Sequence, residues 1–258
     1  MIAPDPWTEL RRHTAARIAL GRAGHSLPTA EWLRFSLAHA LARDAVHLPL
    51  DDALLAKQLS QAGFDTVRVE SAAADRATFL RRPDLGRKLS PRGAGLLDAL
   101  SSKAADVVVM VGDGLSARAV QAHALPLLLE LRPRLEAQGQ SLGPVAIALQ
   151  ARVALGDEVG DLLAARAVLV LIGERPGLSS PDSLGAYLTW APQLGRADSQ
   201  RNCVSNIRPE GLSFAQAARK LAWLLAAARR LGATGVDLKD ESDRVLVDAA
   251  NGKPSLTG

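Results

Sequence analysis

The chain has 258 residues, 48% hydrophobic and 22% charged, so it carries enough apolar side chain for a sizeable core that needs no disulfide staples. Its net charge of +4 comes from 31 Lys and Arg mixed with 27 Asp and Glu, a solvated-surface pattern that argues against a nucleic-acid footprint. A lone cysteine, Cys203, excludes an internal disulfide and a Cys-based zinc site; no apolar run nears the roughly 20 residues of a bilayer span, and the N-terminus lacks a secretory core, so a cytoplasmic protein without a membrane partner is expected.

Aromatic residues are only 3% of the chain, so the core must be built from Leu, Val, Ile and Ala. The stretch to about residue 50 reads as helical. WTELRRHTAARIALG spaces Trp7, Leu10, Ile18 and Leu20 among Arg and Thr until Gly21 and Gly24 break it. Thr29 is a candidate N-cap for TAEWLRFSLAHALARDAVH, which keeps Trp32, Leu33, Leu37, Leu41 and Val46 on one stripe. DDALLAKQLSQAGF is a shorter helix ending at Gly63. Helices with no strand between them predict a mainly helical N-terminal lobe over residues 1–95. Within it VRVES reads as a short strand and RRPDLGR as a basic loop; SPRGAGLLDALSSK reads as a helix at the hinge.

From Ala105 the pattern changes. ADVVVMVGDGLS is a buried parallel strand feeding a tight turn, and ARAVQAHALPLLLELRPRLEAQG is a helix that Pro126 kinks or divides. PVAIALQARV, GDEVGDLLAAR and AVLVLIGERPG continue as strand, helix and strand. This alternation predicts an α/β fold with a Rossmann-like, doubly wound, mostly parallel sheet over residues 96–240. AYLTWAP adds a strand, NCVSNIRPEG reads as irregular and polar, and FAQAARKLAWLLAAARRLG is a closing helix capped by Ser213. Residues 241–258 read as a flexible tail.

Ligands of such sheets bind at the carboxyl ends of the strands, which selects the loops at 112–116, 151–160 and 173–185, with 202–211 as a fourth polar segment. GDGLS is either a truncated phosphate loop or a plain strand-to-helix turn, because it lacks both the GxGxxG spacing and a following Lys. Glu174 follows a buried strand directly, so its carboxylate needs donors or a cation; a ligand contact and an internal ion pair with Arg152 or Arg208 are both open. Cys203 has no histidine after it in the chain, which favours a buried or main-chain role over a nucleophile. The five histidines show no metal-ligand spacing, and no catalytic set stands out.

The segments ARIALGRAG, FLRRPDLGRKL, VVVMVGDGLSARAV, ARVALGDEVGDLLAARAVLVLIGERPGLSSPDSLGAYLTWAP and RNCVSNIRPEGLSFAQAARKLAWLL closely resemble the small subunit of ethanolamine ammonia-lyase, from about residue 15 to about residue 235. GERPGL and CVSNI are the most specific parts. The resemblance implies a carbon–nitrogen lyase that converts ethanolamine to acetaldehyde and ammonia with the radical of adenosylcobalamin (coenzyme B12). It implies a large-subunit partner that carries the substrate pocket, in an assembly of six large plus six small chains. Carried over residue by residue, the cobalamin contacts fall on Val153, Glu174 and Cys203, with no catalytic or metal-ligating residue here. Arg81, Arg82 and Arg87 are expected at the subunit contact. Some members carry a long N-terminal extension linked to residence in an ethanolamine-utilisation microcompartment; here the shared region starts about a dozen residues in. The alternative is a stand-alone cobalamin- or nucleotide-binding accessory protein.

Overall fold

A computed structural model describes residues 5–14, 16–100 and 104–243. The helices are α1 (Thr29–His47), α2 (Asp52–Gln61), α3 (Arg76–Arg81), α4 (Pro91–Asp98), α5 (Ala117–Ala137), α6 (Leu155–Leu162) and α7 (Phe214–Leu231). The strands are β1 (Thr66–Glu70), β2 (Val107–Gly112), β3 (Leu142–Leu149), β4 (Ala167–Gly173), β5 (Leu184–Trp190) and β6 (Asn202–Ile207). Among the described residues, no helix is long and apolar enough to cross a membrane.

The continuous apolar runs VVVMVG and AVLVLIG become β2 and β4, buried at every position because helices cover both faces. They are the centre of one six-stranded sheet in the order β1-β3-β2-β4-β5-β6. The first four strands are parallel, and β5 and β6 add an antiparallel extension. On one face Leu55, Leu127, Leu128, Leu131, Leu221 and Leu225, from α2, α5 and α7, form the larger core. On the other, Leu97, Leu155 and Val159 of α4 and α6 meet Val108, Met110, Val168 and Val170. Truncating any one of these fully buried leucines to Ala costs about 2–5 kcal/mol.

The α/β architecture is the one expected, with several local corrections. Among the described residues before α1 only Thr8–His13 is helical, as a 3-10 turn, since Ala19, Gly21 and Gly24 take positive φ that no α-helix can continue through. Thr29 is the first helical residue, and Pro28 occupies the cap position without a side-chain bond. Pro126 and Pro133 lie inside an unbroken α5, held in place by its nine buried residues. NCVSNI is the edge strand β6 rather than an irregular segment: Val204 and Ile207 face the larger core while Cys203 and Ser205 are exposed. β1, within the span expected for the N-terminal lobe, pairs with β3 from Thr66↔Val145 to Glu70↔Leu149. At the far end Lys220 Nζ holds Asp240 (2.9 Å) and Asp243 (3.1 Å), and most of the expected tail, residues 244–258, lies outside the described residues, as do 101–103 of the expected hinge.

Helix α1 differs from the rest. Of its 19 residues only Ala45 is buried, and Trp32, Leu33, Phe35, Leu37 and Leu41 are exposed.

Candidate functional site

Three loops and one open strand face meet at the carboxyl end of β3 and β4. The loop after β3 starts at Gln150 in the left-handed region (φ 54°) and is pinned by Asp113, whose carboxylate accepts from the N–H of Gln150 and of Ala151, both at 3.0 Å. Burial raises the Asp113 carboxyl, while those N–H donors and Arg76, 3.3 Å away, oppose the shift. Arg76 also donates to Val46 O at 2.7 Å, which ties the end of α1 to the site. Arg152 N donates to Gly86 O at 2.8 Å, so the basic RRPDLGRK loop leans on this one. A Cβ at Gly86 would come within 3.0 Å of the Arg152 stem and 2.9 Å of the Phe79 ring; only glycine allows the approach. Arg152 stacks on Phe79 at 4.2 Å and Arg76 at 4.8 Å from the ring centroid. Val153 follows, half-buried.

GDGLS is the tight turn of its two readings. Gly114 (φ 55°) is pressed against β4, where a Cβ would sit 2.3 Å from Gly173 O. Leu115 N donates to Gly173 O, and Ser116 caps α5 through Ala119 N, so donors a phosphate would need are already used.

Glu174 stands at the end of β4. Its carboxylate accepts from the Ser183 hydroxyl and from Asn206 N at 3.3 Å. That N–H is aimed by a bulge in β6, where Asn206 takes φ 57°. The internal ion pair with Arg152 or Arg208 is absent among the described residues, and Arg208 pairs with Asp182 at 3.1 Å instead. Gly185 makes room for the carboxylate: a Cβ there would lie 2.9 Å from Glu174 Oε1.

Cys203 is exposed, which corrects the buried reading; its side chain belongs to the face of β6 opposite Val204. It lies across the ladder from Tyr187 on β5, and Tyr187 packs beside the α4–α6 core. Desolvation in the concave surface pushes the Cys203 thiol up even though the residue as a whole is exposed; the Glu174 charge adds to this and the hydrogen bond with Tyr187 opposes it. The Tyr187 phenol is raised by burial and then by Cys203 and Glu174.

Two adjoining concavities result. One, of about 300 Å³, is lined by Val153, Tyr187, Cys203, Arg87 and Arg201 among others. The other, of about 410 Å³, is lined by Val153, Tyr187, Glu174, Arg175 and the Gly114 turn. Val153, Tyr187 and Arg152 belong to both. The three residues singled out in the sequence therefore come together, on either side of Val153. A larger groove of about 530 Å³ lies away from them, along the β1 edge by Arg68 and Arg92, and holds none of the three. Sequence reasoning missed Tyr187 and Arg152 as site residues. The only tyrosine of the chain gave one signal, sitting out of phase with the core positions Leu184, Ala186 and Leu188. Among the described residues no group of three or more His, Cys, Asp or Glu is placed to hold a metal ion.

With this geometry in place, known sequences add the lineage. The profile of the ethanolamine ammonia-lyase light chain family matches residues 4–239. The ethanolamine ammonia-lyase small subunit of Azotobacter vinelandii is 55% identical over 253 residues, covering 97% of this chain and 94% of that one. The small subunit of Xanthomonas campestris pv. campestris is 57% identical over 246 residues, covering 94% and 90%. That of Pseudomonas aeruginosa is 51% identical, covering 99% and 94%. On a match that spans nearly its whole length, this chain belongs to the ethanolamine ammonia-lyase small-subunit (light chain) family.

Proposed function

We propose that the chain holds adenosylcobalamin against the large subunit of ethanolamine ammonia-lyase, in the conversion of ethanolamine to acetaldehyde and ammonia. The observation that carries the reading is the convergence of Val153, Glu174 and Cys203 around Tyr187 in two adjoining concavities. The residues suit such a group. Glu174 offers carboxylate lone pairs to neutral amide donors like those around a corrin ring. Val153 and Tyr187 give a half-buried apolar floor, and the Gly86 and Gly185 positions let backbone and carboxylate approach without obstruction. Cys203 contacts the ligand as a neutral thiol. When bound, adenosylcobalamin supplies the radical that starts the reaction. This chain's residues bind and orient the cofactor and exclude water from one side of it.

The concavities are too small to enclose a whole cobalamin, so a second protein surface completes the site. The exposed apolar residues of α1, tied to the site through Arg76 and Val46, suit such an assembly. We assign the substrate pocket to the large subunit and take six large plus six small chains as the assembly, in the cytoplasm or within a microcompartment. Co-expression with a large subunit, followed by purification, equilibrium dialysis against adenosylcobalamin and an acetaldehyde assay, tests this. The expected result is a stable complex whose cofactor binding and activity need both chains. A monomer that binds cobalamin alone, with no complex formed, would overturn it in favour of an accessory binding protein.

A further inference from the structure

We propose that Arg87, Arg152 and Arg175 form an anion site that takes the phosphodiester of the cofactor's nucleotide tail, an inference that rests on the cobalamin reading above. Arg87 and Arg152 line the cavity of Cys203, and Arg152 and Arg175 line the cavity of Glu174, so the three guanidiniums surround Val153. Among the described residues none of the three has a carboxylate within ion-pair distance. The nearby carboxylates are committed elsewhere. Asp113 holds Arg76 and the Gln150 and Ala151 N–H groups, Asp157 and Asp198 hold Arg201, and Glu174 holds Ser183 and Asn206 N.

Arg152 is the least satisfied of them. Its Nε is buried without a hydrogen-bond partner, and its Nη2 reaches only Phe79 O at 3.4 Å. Desolvation, followed by the like charges of Arg76, Arg87 and Arg175, draws this guanidinium below its ordinary range. Like charges held together in a concave, partly dry surface are stabilised by a compact anion, and the planar guanidinium fork matches phosphate oxygens. Cobalamin carries one such group, the phosphodiester that joins its nucleotide to the corrin side chain. The same wall that meets the amides through Glu174 therefore meets the charged tail through arginine, which would set the cofactor's direction in the site.

The test uses the complex of both subunits, as wild type and with Arg87→Gln and Arg175→Gln, two exposed positions whose change spares the core. Dissociation constants are measured by dialysis for adenosylcobalamin, adenosylcobinamide phosphate and adenosylcobinamide, which lacks the phosphate. Expected is a weakening of about tenfold or more for the two phosphorylated ligands, a shallower salt dependence, and no change for adenosylcobinamide. Equal loss for all three ligands, or none, overturns the proposal, as does inorganic phosphate binding that leaves cobalamin affinity untouched. Variants that fail to co-purify with the large subunit overturn it in favour of a contact to the partner's carboxylates. A wild-type complex that binds no adenosylcobalamin would instead remove the functional reading on which the proposal rests.

Discussion

Arg201 grips Asp157 with both ends of its guanidinium, Nη1 to Oδ1 at 2.5 Å and Nη2 to Oδ2 at 2.7 Å, and both side chains are only 2% exposed. Arg201 immediately precedes β6 and Asp157 sits in the first turn of α6, so the pair joins the helix behind the Val153 loop to the antiparallel edge of the sheet. Thr189 Oγ1 and Arg196 O accept further bonds at 2.9 Å each, and Asp198 Oδ1 accepts from Arg201 Nε at 3.4 Å. Burial works against the Arg201 charge, but Asp157 and Asp198 outweigh it and leave the guanidinium above its ordinary range.

Removing one member of such a pair strands a buried charge. Asp157→Ala is expected to lower stability by about 3–5 kcal/mol, and pairing it with Arg201→Met should recover a large part. Chemical denaturation of the wild type and both variants measures this. A loss in the single variant below about 1 kcal/mol, the worth of a surface pair, would mean that the bridge does not hold the two elements together.

Glu174 and Gly185 separate site from fold. Glu174→Gln removes the charge but keeps the shape, and it should weaken adenosylcobalamin binding roughly tenfold, the worth of one hydrogen bond to a charged group. Gly185→Ala should do likewise, because its methyl would meet a carboxylate that can swing away. Neither change should disturb assembly or shift the melting temperature by more than a few degrees. Unaltered cofactor affinity in both variants would take Glu174 out of the site.

The thiol of Cys203 is exposed but held above the ordinary cysteine value of 9.0, first by desolvation and then by Glu174. Raised in this way it stays protonated at neutral pH. Iodoacetamide should therefore react slowly at pH 7.5, with a rate that climbs only as the pH passes above that ordinary value. Glu174→Gln takes away the negative neighbour, so it should shift the rate profile to lower pH. Bound adenosylcobalamin should protect the thiol in the assembled enzyme. Mass spectrometry of the alkylated peptide reads all three, and fast labelling at neutral pH would contradict the assigned environment.

Leu33, Leu37 and Leu41 repeat every four residues along α1 and are 55%, 61% and 39% exposed. If the large subunit covers this stripe, Leu33→Ser with Leu37→Ser should make the isolated small subunit more soluble and reduce its co-purification with the partner. Helix content by circular dichroism should stay close to wild type, since only Ala45 of α1 is buried in this chain. Full assembly of the double variant would place the partner elsewhere.

Much was legible in the residues themselves, and the reason is local. Short, Val-rich apolar runs ended by Gly, such as 107–111 and 167–172, read as strands covered on both faces, and the amphipathic run after Ser213 fits a capped helix; each is decided by neighbours a few positions apart. Glu174, directly after such a run, needs donors for the same reason. Which donors it has was a tertiary matter. Ser183 and Asn206 come from segments nine and 32 residues away and meet it through strand pairing and a bulge, while, among the described residues, Arg208 pairs with Asp182 and Arg152 lines the same cavity without an ion pair to it. The placement of β1 in the sheet, the exposure of Cys203 and the grouping of Arg87, Arg152 and Arg175 were likewise fixed by long-range packing. Periodicity reports which face of an element is apolar, but not which other element that face will meet, so the strands were readable one by one and the site only once the sheet had closed around it.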